Sequence, residues 1–126
     1  MNTHRQRTDD DLAELDIPAL LRYGLSAGGA RRAALFGEGA VAAAVAVDRL
    51  HVVPRSLGYL AEVVRAGGTR YAADLAEPLP GPEPTRLVQE WLDTAATVTA
   101  GVDDDEVLAR WLDAVAELLA MRRRTA

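Results

Sequence analysis

The sequence predicts an all-α protein, a small orthogonal bundle of roughly five or six helices ending in an antiparallel helical hairpin, and three observations predict it. Apolar residues recur at i, i+3 and i+4 through the last third of the chain, the spacing that lines one face of a helix. Hydrophobic residues make up 49% of the chain while aromatics are only 5%, so the core is built from Leu, Val and Ala, which suit close helix packing better than a sheet. Glycines and prolines cut the remainder into short segments, which favours sharp turns over an up-and-down arrangement.

At 126 residues the chain fits one domain, expected over residues 12–124. Residues 1–11 are polar, without periodicity, and read as a disordered tail. Asp16-Ile17-Pro18 resembles a helix start, a carboxylate that caps free N–H groups followed by a proline tolerated in the first turn, and predicts a short helix to about Tyr23. Ser26 is the expected cap of a second helix through Arg31, Arg32, Leu35 and Phe36, which Gly37 and Gly39 end or bend. Ala40–Val47 is small and apolar all round, the mark of a helix buried on several faces. Its valines also permit a strand, and periodicity does not decide between the two over residues 40–53.

Pro54 breaks the chain, and Leu57, Leu60, Ala61 and Val64 set up a helix over Arg55–Ala66 that Gly67-Gly68 stops. A shorter helical pattern runs over residues 69–76. Residues 78–84 hold four of the six prolines and read as a stiff connector. The clearest signal follows over residues 84–124. Leu87, Val88, Trp91, Leu92, Ala95 and Val98 form one apolar stripe, and Val107, Leu108, Trp111, Leu112, Val115, Leu118 and Leu119 form another. The short turn 100–103 between them predicts an antiparallel pair. Trp91-Leu92-Asp93 and Trp111-Leu112-Asp113 match at a fixed offset, a coincidence expected of two amphipathic helices drawn from the same residues.

Charge and composition exclude several functions. The net charge is −5, which leaves no basic surplus to neutralise a phosphate backbone, so no nucleic-acid partner is expected. There is no cysteine, hence no disulfide, thiolate catalysis or cysteine-based metal site. Only two histidines occur, and His4 lies in the tail, so neither a metal nor a cofactor is expected. No apolar run approaches the ~20 residues that span a bilayer, and the N-terminus lacks a signal-peptide pattern; no membrane partner is expected and the location is read as cytoplasmic. Asp103-Asp104-Asp105-Glu106 and Arg122-Arg123-Arg124 sit at the two ends of the last helix with the signs that complement its dipole, and the acidic run lacks the spaced ligands of a calcium loop.

Two places carry candidate chemistry. Ser26–Arg32 is a glycine-rich turn opening a helix, and its Arg31 and Arg32 offer positive charge to an anion. If helix continues through residue 51, Asp48 and His51 lie one turn apart, where the carboxylate orients the imidazole as an acid–base pair. Arg55 and Tyr59 follow on the next helix as ligand-binding residues. The sequence thus supports two functional expectations. One is a helical interaction or oligomerisation module that binds a protein partner or itself through surplus apolar surface on the hairpin. The other is a cofactor-independent enzyme or binding protein for a small, anionic organic metabolite, with His51 and Asp48 catalytic.

Overall fold

The computed structural model describes residues 11–12, 14–26, 28–67, 79–98 and 104–125, and among them the regular structure is helical without strands. Helix α1 spans Ile17–Leu25, α2 Gly29–Ala34, α3 Ala40–Arg49, α4 Pro54–Gly67, α5 Pro82–Val98 and α6 Asp104–Thr125. A π-helical turn, Leu35–Gly39, joins α2 to α3, so residues 29–49 form one unbroken rod. Among the described residues the bundle therefore holds five helical rods, and residues 40–49 are helix. The predicted helix over residues 69–76, most of the tail and the turn 100–103 lie outside the described residues.

The local signals act largely as expected. Asp16 caps α1 through its Oδ1, which accepts from the Ala19 N–H at 3.2 Å, and Pro18 sits in the first turn, where its missing N–H has no partner to lose. Pro54 opens α4 for the same reason. Pro82 and Pro84 are likewise taken into the first turn of α5, so the helix begins inside the stretch read as a connector. Ser26 is a correction. It terminates α1 instead of capping the next helix: its hydroxyl donates to the Tyr23 carbonyl at 2.9 Å, and the next helix is entered through Gly28 at φ +86°, a backbone that only glycine adopts without strain. Gly37 and Gly39 also do not end the helix; the extra residue of the π turn absorbs them.

The core is made of small and medium residues. Leu57, Leu60, Ala61 and Val64 of α4, Leu108, Trp111, Leu112, Val115 and Leu119 of α6, and Ala40, Ala43, Ala44, Val45 and Val47 of the central rod are fully buried. Helix α6 packs along α4 and α3, while α5 packs along α1. The expected hairpin of adjacent helices is thus not what α5 and α6 form. They meet instead through Trp91 and Trp111, edge to face with ring centres 5.4 Å apart. The reason is volume: two indoles hold helix axes apart, whereas the alanines of α3 let α6 approach closely.

Leu35 lies where these elements converge. It is fully buried, and its carbonyl accepts a hydrogen bond from the Trp111 indole N–H at 3.1 Å. Gly24 of α1 lies against its side chain so tightly that a Cβ there would stand 2.5 Å from Leu35 Cβ. A glycine is required at 24 by space and not by dihedral angle. Gly24→Ala is expected to destabilise the fold by about 1–3 kcal/mol, the usual cost of overpacking, despite alanine's better helix propensity. Gly58→Ala in α4, where an added Cβ meets nothing within 4 Å, is expected to stabilise by about 0.5–1 kcal/mol. Urea denaturation of the pair checks both signs.

Candidate functional site

The packing of α1 on α5 is apolar inside and polar at its flank. Ile17, Leu21 and Leu25 of α1 and Val88, Trp91, Leu92 and Ala95 of α5 are buried. Beside them the polar stripe of α5, residues 86, 89, 90, 93, 94 and 97, faces Arg22 of α1 across a cleft of about 490 Å³. It is a shallow depression largely open to solvent, with a volume in the range of sites for small organic ligands, roughly 300–1,000 Å³.

The residues that line the cleft are polar or charged, although the surface they present to it is more carbon than nitrogen and oxygen. The Asp93 carboxylate accepts from Gln89 Nε2 at 2.9 Å, and the Thr97 hydroxyl donates to the Asp93 carbonyl at 2.9 Å. The side chains of Arg22, Arg86 and Glu90 form no ion pair or hydrogen bond among the described residues. Thr94 is the notable member. It is 6% exposed and lines the cleft, yet its hydroxyl has no hydrogen-bond partner among the described residues. Thr85 and Thr97 on the same helix bond back to the carbonyl four residues earlier. A hydroxyl that opens on the cleft without a protein partner is free to bond a ligand oxygen or N–H there.

The residues singled out in the sequence lie elsewhere. Helix α3 stops at Arg49, so Asp48 and His51 do not share a helical face. His51 is the left-handed residue of a Schellman ending: at φ +63° it donates its N–H to the Asp48 carbonyl at 3.1 Å, and Val52 donates to the Val47 carbonyl at 3.0 Å. Its side chain is exposed and lines no part of the cleft. The Asp48 carboxylate binds Arg123 at 3.0 Å and Arg122 at 3.4 Å, which ties α3 to the end of α6 and leaves the imidazole without its expected orienting partner. Arg31 folds back over the Tyr23 ring, 5.3 Å from its centre, and bonds the Ser26 hydroxyl at 3.2 Å. The Arg32 N–H donates to the Gly28 carbonyl at 3.1 Å as part of the helix. Arg55 and Tyr59 are exposed on α4, away from the cleft lining.

The sequence reading also missed Arg65. Its guanidinium binds Asp113 at 2.8 Å, Glu106 at 3.0 Å and Glu62 at 3.0 Å, clamping α4 to α6. The hydrogen bonds it donates to Asp113 and then to Glu106 hold the guanidinium above its ordinary pKa. Glu106 is thereby engaged by the guanidinium groups of Arg65 and Arg110.

The positive φ at His51 decides how that residue should behave. A left-handed backbone costs an L-residue roughly 1 kcal/mol relative to glycine. His51→Gly is expected to raise stability by up to about 1 kcal/mol, and His51→Val to lower it by at least as much because β-branching is poorly tolerated there. Chemical denaturation at constant m-value measures both, and a fall on His51→Gly would mean that the imidazole, not the backbone, holds the corner. Comparison of the chain with protein-family models, with curated proteins and with solved structures gave no match.

Proposed function

We propose that this is a cytoplasmic, cofactor-independent binding protein for a small polar organic ligand, held in the cleft between α1 and α5. The observation that carries the reading is Thr94, whose hydroxyl opens on the cleft and makes no protein hydrogen bond among the described residues, in a cleft whose rim holds Arg22, Arg86 and Glu90. No catalytic role is assigned, because His51 lies outside the cleft and Asp48 is engaged by two arginines. No helix of the described residues is long and apolar enough to cross a membrane.

The reading separates stability from binding. Thr94→Val replaces a hydroxyl that opens on the cleft by a methyl group of the same shape, so the stability of the free protein should change by less than about 0.5 kcal/mol. Ligand affinity should fall by about three- to tenfold, the worth of one hydrogen bond. Two-dimensional nuclear magnetic resonance with a panel of amino acids, short peptides, dicarboxylates and phosphate esters checks it. The expected shifts gather on Arg22, Arg86, Gln89, Glu90, Asp93, Thr94 and Thr97. Shifts confined to His51, Arg55 and Tyr59, or none at all, would overturn the assignment.

A second reading, an interaction or self-association module, keeps one observation in its favour. Val53 and Tyr59 are about half exposed, at 48% and 53%, at the start of α4 beside Arg55, whereas the stripes of α5 and α6 leave only Met121 exposed among large apolar residues. A partner or second copy would therefore use the α4 corner and not the tryptophan-bearing helices. Sedimentation velocity across a hundredfold range of concentration, on the native chain and on Tyr59→Ser, reads this directly. A mass that rises with concentration and stays monomeric in the variant supports self-association; a constant monomer mass in both removes it.

A further inference from the structure

The order of charges along the cleft says more about its ligand than its volume does. On α5 the lining runs Arg86, Gln89, Glu90, Asp93, Thr94, Thr97, cationic at the N-terminal end and anionic toward the middle, with Arg22 added from α1. Two arginines against Glu90 and Asp93 leave the lining neutral overall. A dicarboxylate or polyphosphate would meet the two acids, and a polyamine would meet the two arginines, each with one end opposed by like charge. The complement of such a lining is a molecule with one positive and one negative end.

Spacing sets its length. Seven residues separate Arg86 from Asp93, which at 1.5 Å per residue is about 10 Å along the helix. An extended peptide advances about 3.3–3.6 Å per residue, so three residues cover the same distance. A single amino acid is too short to engage both ends. Between them the cleft presents groups that match a peptide backbone. The Thr94 hydroxyl has no partner among the described residues, and Gln89, whose Nε2 is used on Asp93, keeps its Oε1 as an acceptor for an amide N–H. Among the described residues no aromatic side chain lines the cleft to stack a nucleobase or sugar.

We infer that the cleft takes a short zwitterionic peptide, about three residues long, with its terminal carboxylate at Arg86 and its terminal ammonium at Asp93. The inference rests on the binding-protein reading and adds to it the class and the direction of the ligand. Arg86 offers the planar fork that receives a carboxylate through two hydrogen bonds. Glu90 stands one turn before Asp93 on the same stripe and reinforces the attraction for the ammonium group.

Titration of the intact chain with trialanine, its N-acetyl derivative and its C-terminal amide tests this, read by calorimetry and by the amide spectrum. Trialanine should bind saturably and shift the cleft residues, and each blocked derivative should bind about tenfold more weakly. In Arg86→Gln the amide and the free acid should bind equally, because the group that told them apart is gone. In Asp93→Asn the same should hold for the acetylated and free peptides. Blocked peptides that bind the native chain as well as trialanine would overturn the inference. So would succinate or a phosphate ester moving the cleft residues while trialanine does not, a result that leaves the binding cleft itself standing. If no compound moves those residues, both the ligand class and the cleft assignment fall.

Discussion

The fold turns on one buried hydrogen bond, from the indole of Trp111 to the carbonyl of Leu35. Joining residues 76 apart in the chain, it locks the long helix α6 onto the rod formed by residues 29–49 at its π turn. A regular α-helix occupies each carbonyl with the N–H four residues on, and a π turn disturbs that ladder. At the C-terminal edge of this one the Ala40 N–H turns to the Gly37 carbonyl, and the Leu35 carbonyl is bonded by an indole that would otherwise be a buried donor without a partner. Removing either partner would strand the other in the core, at about 1–3 kcal/mol. The side chain of the same leucine fills the space above Gly24, so α1 is placed by the residue that places α6.

Around that point α6 is fixed at both ends by charge. Arg65 holds Glu106 and Asp113 near its start, and Asp48 holds Arg122 and Arg123 near its finish. These pairs are partly exposed and individually modest. Their value lies in register: each fixes where α6 sits along α4 or α3, which a smooth surface of alanine, valine and leucine defines poorly. The terminal charges also complement the helix dipole, which is the part of their role that the sequence shows.

What was legible in the sequence is what depends on neighbours a few residues away. The apolar spacing of Leu57, Leu60, Ala61 and Val64 gave α4 nearly to its ends, and the stripes bearing Trp91 and Trp111 gave α5 and α6. Asp16 and Pro18 marked the start of α1. What failed required knowledge of tertiary partners. Gly37 and Gly39 read as an end or a bend, and nothing local reveals that a π turn, bonded to an indole from a distant helix, carries the helix through them. Asp48 looked like a partner for His51 because spacing cannot show that two arginines at the far end of the chain take its carboxylate first. Arg86, Glu90, Asp93 and Thr97 looked like the solvated side of an amphipathic helix, and only the packing of α1 beside them makes a cleft. The one faint local sign was Thr94, a polar residue within the inward-facing side of its helix.

That sign links the architecture to the proposed function. The half of the molecule built from α3, α4 and α6 carries the densest packing and both charge clamps. Among the described residues helix α5 carries neither. It packs mainly on α1, and it holds the buried Trp91 indole N–H, which has no partner, and the Thr94 hydroxyl, which opens on the cleft and makes no protein hydrogen bond among the described residues. A buried group left without a partner lowers local stability, and binding elements are drawn from the less stable part of a fold because they have free energy to gain. The two groups differ in what can reach them. Trp91 is closed in against Trp111, where the edge-to-face contact offsets part of the cost. Thr94 opens on a cleft where a ligand can reach it. Binding there would satisfy the hydroxyl and bridge α1 to α5, adding a stabilising tie to the half of the bundle that lacks one.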